Sequence, residues 1–299
     1  MGTQTRRTDF VDVQILTEAI GAVLPGLRVL AGSKVVTVKS GMPVDFAGRA
    51  VTGGTLITVP YFNAMGNKLD KVPENGALTP VVLSMTSDQA TVARYGKAIE
   101  MTLWAELAAG WADPYAEFAK QFGEMTQNTV EDELILVAGT GLASAYVRDV
   151  STASPNAPHT ITYDDVIRSK ILWGDEQAMI EMISVHSKVY QDMLLLKDST
   201  GRPLMTDPND GTLAKFNGIP VKVSDRNTII GTGANAKYES LIFKTAALAW
   251  WYQSDPIVMV ENDALAGSKV TAVHIFGAPY RYQRGPGSSK PGVVKLITN

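Results

Sequence analysis

The sequence predicts an α+β fold, and four stretches carry that prediction. Residues 55–62 (Thr-Leu-Ile-Thr-Val-Pro-Tyr-Phe) are β-rich and follow the turn pair Gly53-Gly54, and a second β-like stretch covers 89–102. From Asp113-Pro114 onward, apolar residues recur at helical spacing for about 25 residues. Beyond residue 150, short strand and helix patterns alternate.

Taken in order, residues 9–24 place Phe10, Val13, Leu16, Ile20 and Val23 on one helical face, stopped by Pro25-Gly26. A short strand is expected at 35–38. This opening segment is too thin to hold a core and reads as an arm lying on something else. In 55–62, Pro60 cannot donate to a ladder, so an edge strand is expected. Residues 63–80 are rich in turn formers and charges and predict a mobile tip. In 89–102, Val92, Tyr95, Ile99 and Met101 are interleaved with Arg94, Lys97 and Glu100. Together these stretches predict a long two-stranded ribbon. An isolated ribbon is marginal in water and needs a partner surface.

The long helix has a good N-cap in Asp113 and a proline at its first position. Tyr115, Phe118, Phe122, Met125, Thr129 and Leu136 form its expected apolar stripe, widened by Ala119 and Val130 and ended by Gly139 and Gly141. At 1.5 Å per residue it would span about 37 Å, a length suited to lying across a sheet. After a Pro/Ser/Asn-rich link at 151–158, a capped helix is expected from Thr162 to Trp173. A buried strand at 178–185, a helix at 186–196, and strands at 218–223 and 241–243 follow. An apolar helix is expected at 246–252, with strands at 257–261 and 270–275.

Composition bounds function. The 299 residues suffice for one large domain or two modest ones. Charged residues make up 19%, below the roughly 25% of a typical soluble protein, which suits a subunit buried among neighbours but also falls within ordinary variation. A net charge of -3 with dispersed Lys and Arg lacks the basic face of a tight nucleic-acid binder, leaving weak, sequence-blind contact with DNA. There is no cysteine, so no disulfide and no thiolate metal ligand. The first residues do not read as a signal peptide, and no run of about 18 apolar residues would span a membrane.

Catalytic patterns are missing. The stretch 231–238 has alanine and tyrosine where a P-loop needs glycine and a hydroxyl. No Gly-x-Ser-x-Gly or Ser-x-x-Lys occurs. The 3 histidines, His159, His186 and His274, are too dispersed for metal-ligand spacing. Asp207-Pro208-Asn209-Asp210-Gly211 reads as a turn rather than a calcium loop, because its glycine falls early and no glutamate closes it. Glu131, Asp132 and Glu133 form either a solvated helix face or an ion-pairing patch for a neighbouring subunit. Trp250-Trp251-Tyr252 reads as buried core ahead of a ligand pocket. No catalytic, cofactor or metal site is expected.

The order of these pieces resembles the Hong Kong 97-like fold of tailed-phage major capsid proteins. The residues that carry the resemblance are 55–62, Ala93-Arg-Tyr-Gly-Lys-Ala-Ile-Glu100, Ser184-Val-His-Ser-Lys-Val-Tyr190, Gly218-Ile-Pro-Val-Lys-Val-Ser-Asp225, and Ala246-Ala-Leu-Ala249 ahead of Pro256-Ile-Val-Met-Val260. The resemblance implies an N-terminal arm (1–50), an extended loop over a neighbour (51–104), a peripheral domain with the spine helix (105–150 and 269–299) and an axial domain (151–268). It implies a non-enzymatic shell subunit of a virion, assembled in a bacterial cytoplasm. Its partners would be copies of itself in pentamers and hexamers, a separate scaffolding protein, a portal protein and packaged DNA, with no membrane. Asn67, Lys68, Leu69, Lys71, Val72 and Glu74 in the loop, with Glu131 and Glu133 on the helix, are the candidate inter-subunit contacts. An encapsulin-like nanocompartment shell, a tail or decoration protein, and an α/β hydrolase are the competing readings.

Overall fold

The computed structural model describes residues 30, 32–40, 56–62, 71–72, 74, 76–78, 80–102, 104–105, 114–151, 158–205, 213–233, 236–252, 256–263, 267–283 and 290–299. The expected arm helix at 9–24, the Asp113 cap, the 207–211 turn, and Asn67, Lys68 and Leu69 lie outside the described residues.

The strands are β1 (Val36–Ser40), β2 (Leu56–Phe62), β3 (Met85–Thr91), β4 (Ala93–Thr102), β5 (Val147–Asp149), β6 (Ile180–Val185) and β7 (Lys215–Phe216). They continue with β8 (Ile219–Val223), β9 (Ile229–Ile230), β10 (Lys237–Lys244), β11 (Leu248–Tyr252), β12 (Ile257–Asp263), β13 (Ser268–Arg281) and β14 (Val293–Thr298). The helices are α1 (Pro114–Gly139), α2 (Tyr163–Ile171) and α3 (Ser187–Leu195). A 5-stranded sheet runs β1-β11-β13-β12, with β4 on β13; a 7-stranded sheet runs β5-β14-β10-β6-β8-β7, with β9 on β10; β2 and β3 form a separate ribbon.

Helix α1 joins the two sheets. Its first half buries Phe118, Ala119 and Phe122 against Val273 and Ile275 of β13. Its second half buries Val130, Leu134, Ile135 and Ala138 among Met182, Leu241, Phe243, Leu248, Trp250 and Val293, which come from both sheets. The buried stripe is therefore rotated from the expected one. Leu136 is 55% exposed and Met125 is also exposed, while Thr126 and Gln127 are buried. The pattern was blurred because a helix wedged between two sheets needs a wider, less regular apolar face than a helix on one.

Helix α2 opens with a capping box: the Thr162 hydroxyl accepts from the Asp165 N–H, and the Asp165 carboxylate accepts from the Thr162 N–H at 3.2 Å. Its core partners include Ile161, Val166, Trp173, Phe216 and Ile242.

Three expectations are corrected. Residues 248–252 form strand β11, not a helix, parallel to β1 and antiparallel to β13. Both faces of this strand are covered: Trp250 faces α1 and Trp251 faces the ribbon. A strand buried on both faces gives a continuous apolar run that periodicity cannot tell from a short helix. Gly277, beside Trp250, has no room for a Cβ, which would collide with the indole ring. Second, the ribbon pairs Leu56 with Thr91 through Phe62 with Met85. Residues 93–102 leave it at Val92 and pair instead with β13, from Ala93 with Gly277 to Thr102 with Ser268. Third, residues 269–299 do not stay together. β13 belongs to the 5-stranded sheet, and β14 pairs with β10 in the 7-stranded one.

The packing of α1 gives a direct contrast. Phe122→Ala should destabilise the chain by about 3–5 kcal/mol, whereas Leu136→Ala should cost about 0.5 kcal/mol or less. Urea unfolding of both variants measures the difference; equal losses would mean that the helix is rotated from this position.

Candidate assembly surface

Among the described residues, the ribbon packs its apolar side chains on the body at its base. Ile57 and Ala90 are buried against Ala249, Trp251, Ala278 and Tyr280, with Val59 and Val92 alongside. Beyond the base the apolar residues lose cover. Leu78, Val81, Leu83 and Met85 are exposed, and Val82 is 87% exposed. These side chains come from Leu78-Thr-Pro-Val-Val-Leu-Ser-Met85, which the sequence reading passed over in favour of the tip. The available signal was an apolar run with no alternation, next to a proline and outside any strand pattern.

At the tip, Lys71 and Glu74 are exposed and Val72 is half-buried. The helix residues divide. Glu131 is 4% exposed and takes a hydrogen bond from the Ser224 hydroxyl at 3.3 Å. It is an internal contact between α1 and the turn after β8, so it is removed from the surface candidates. Its burial follows from helix geometry: it lies one and four residues from Val130 and Ile135 on the covered side. Asp132 is exposed and accepts from Arg226 Nη1 at 2.7 Å, within the same chain. Glu133 is half-buried beside Tyr95, whose hydroxyl is pushed up to about 12 by burial and by the Glu133 charge. Glu133 also lines a cavity of about 500 Å³ at the ribbon base, with Asp88, Tyr280 and Arg281.

Burial raises the Glu131 carboxyl above its ordinary value, and the Ser224 hydrogen bond and the Arg226 and Lys222 charges only partly oppose this. Burial also lowers Lys222, the nearest cation on β8.

Ser187, His186 and Asp225 come close to a triad: Ser187 Oγ is 3.4 Å from His186 Nδ1, and His186 Nε2 is 3.7 Å from Asp225. The Nδ1 atom, however, already accepts the Lys188 N–H at 3.1 Å as the cap of α3. A base whose lone pair is held by the backbone cannot take the serine proton, so these residues form a helix cap. His159 supports the buried Asp165 at 2.9 Å, with Arg148 at 3.2 Å on its other oxygen. No group of three metal-ligating side chains occurs among the described residues.

The long bridging helix, the two sheets and the projecting ribbon compose the Hong Kong 97-like fold. No protein-family model and no curated sequence matches the chain. Solved structures do. The capsid chain of Ralstonia phage GP4 superposes with a TM-score of 0.63 over 90% of both chains at 10% identity. The capsid of a native GTA particle gives 0.62 over 99% of this chain and 94% of its own, at 12% identity. The cyanophage Pam1 capsid gives 0.56 over 91% and 92%, at 16% identity.

Glu131 makes the junction sensitive to pH. Its folded value lies above the unfolded one, so its contribution is fully present below the ordinary carboxylate range and is lost as pH rises through the folded value. Glu131→Gln removes that loss. The stability of the Gln variant relative to the parent should therefore increase between about pH 4 and pH 8. Melting curves across that range test it; a constant gap would show that Glu131 does not titrate against this burial.

Proposed function

We propose that the chain is the major capsid protein of a tailed phage. It would assemble with copies of itself, in pentamers and hexamers, into an icosahedral shell around double-stranded DNA. The observation that carries this reading is the correspondence with capsid chains over nearly their whole length: the match to the GTA capsid covers 99% of this chain and 94% of that one.

The physics of the ribbon supports the same reading. An apolar segment left in water by its own chain marks an interaction site. Among the described residues, the aliphatic run at the far end of the ribbon is not covered by the rest of its own chain. Head-to-tail contacts between identical copies close into rings when the rotation allows it. The near-neutral net charge of -3 would let the shell hold DNA through weak, sequence-blind contacts. Scaffolding and portal proteins would be the further partners, and the mature location would be the virion, after assembly in the bacterial cytoplasm. Exposed Lys71 and Glu74 and the half-buried Val72 and Glu133 are our contact candidates among the described residues, with Asn67, Lys68 and Leu69 completing the tip.

Purified protein, with scaffold where required, should form rings or closed particles by electron microscopy; a strictly monomeric species under all such conditions would defeat the reading. Replacing residues 67–78 by a short Gly-Ser linker should leave the single chain folded, with a melting temperature within about 4 °C of the parent, because the segment buries little in its own chain. Particle formation should be lost. Stable particles from this variant would take the tip out of assembly.

A further inference from the structure

Helix α1 meets the body through two apolar patches, and between them the core is interrupted. Phe118, Ala119 and Phe122 pack on Val273 and Ile275, and the next cluster begins at Val130 with Trp250. The two turns in between carry Thr126, Asn128 and Thr129, which are short and polar. A cavity of about 520 Å³ lies there, between the helix and strand β4. Tyr95 and Trp250, with ring centroids 6.1 Å apart, form its wall on the sheet side. That volume falls within the roughly 300–1,000 Å³ of small-molecule sites.

The lining sorts into three kinds of group. Phe122, Val130, Trp250 and Ile275 are apolar and each is 4% exposed or less. The Thr126 hydroxyl donates to the Phe122 carbonyl at 2.8 Å and the Thr129 hydroxyl to the Met125 carbonyl at 2.9 Å, so neither proton is free. Asn128 Oδ1 is buried and accepts no hydrogen bond within the chain. Lys97 and Arg94 also line the cavity, are exposed, and form no ion pair among the described residues. No acidic side chain lines it among those residues. We propose that this cavity binds an amphipathic organic anion: an apolar body with one hydrogen-bond donor and a single acid group. The acid would meet Lys97 and Arg94, the donor Asn128 Oδ1, and the body Phe122 and Trp250.

Charge and polarity select this class over its neighbours. A cationic amphiphile would meet two like charges at the mouth, with no carboxylate to answer it. A plain hydrocarbon would fill the walls but leave the Asn128 oxygen shut off from any donor, which is costly. A ligand with all three parts would touch α1, β4, β11 and β13 together and close the break in the apolar contact of the helix. Because it would bind the folded chain, it would raise stability with its concentration. The site lies within one chain, so the inference goes beyond the shell reading and does not depend on it.

The test is titration calorimetry of the full chain with N-octanoylglycine, which carries an acyl chain, an amide N–H and a carboxylate. Decanoate is the comparator without the donor, and octyltrimethylammonium is the comparator of opposite charge. N-octanoylglycine should bind saturably, one per chain, more tightly than decanoate, and the ammonium compound should not bind saturably. Replacing both exposed cations, Lys97→Gln with Arg94→Gln, should weaken the acid by about fivefold, the scale of two exposed charge pairs. Thr126→Phe and Thr129→Phe each fill the cavity. Whichever keeps the parent's melting temperature should lose the binding and the rise in melting temperature that the acid gives the parent. Equal affinity for the two acids removes Asn128 from the site. No saturable binding below the micellar concentration overturns the proposal. So does unchanged affinity in a folded Phe variant or in the Gln pair, or equal binding of the ammonium compound.

Discussion

The structure depends on the burial of one face of α1 between two sheets. Its first half belongs to the 5-stranded sheet through Phe118 and Phe122. Its second half shares a core with β6, β10, β11 and β14. At about 1–3 kcal/mol for each large apolar side chain taken out of water, this stripe is the largest single coupling between the two sheets. Neither sheet could keep its position if the helix turned: a rotation of about 100°, one residue's step, would put Glu133 in the place of Leu134 or the exposed Leu136 in the place of Ile135. The 26-residue length follows from this role, because a shorter helix would reach one sheet only.

Polar contacts refine that coupling. Arg226 reaches from the turn after β8 to the Asp132 carboxylate and the Asn128 carbonyl, so its charge is held by the helix at two points. Glu131 is set inside, against Ser224, where a charge is costly. A methylene-lined contact would bind the two parts more tightly at neutral pH. The choice of an ionisable group leaves this junction weaker than its area suggests, and the weakness is local. The Lys295–Glu239 pair at 2.8 Å and the Lys244–Glu176 pair lie within the 7-stranded sheet region and keep their partners.

Much of the fold was legible in residue patterns. The start of α1 at Pro114 and its end at Gly139 followed from a preorganised first turn and a left-handed exit at Gly141. The Thr162 capping box was readable for the same local reasons. What failed was what tertiary context decides. Leu248–Tyr252 is covered on both faces, so its alternation vanished and it read as helix. The break at Val92 was invisible because β3 and β4 are chemically alike, and only the long partner β13 claims the second of them. Glu131 was read as one of three similar acids, since a sequence does not say which of three successive helix positions faces inward. The tip drew notice for its charges, while the exposed aliphatic run behind it, residues 78–85, was passed over.

That run bears on why the single chain is incomplete. A monomer that must stay soluble blunts its strand edges and covers its apolar runs. This chain does so over its core, where Trp173, Trp250 and Phe243 are fully enclosed, and fails to do so along the ribbon. An exposed segment of this kind is an aggregation hazard unless a specific seat competes for it. A closed assembly resolves the conflict by geometry. In the proposed shell, contacts between copies would cover that segment and leave no apolar edge to recruit more chain. Each contact can then be modest, because removing one copy breaks contacts to several neighbours at once. The same reasoning explains why the ribbon's base, and not its length, is anchored in its own core. Firm packing of Ile57 and Ala90 against Trp251 and Tyr280 fixes the direction in which the ribbon leaves, while its far end stays free to meet a neighbour.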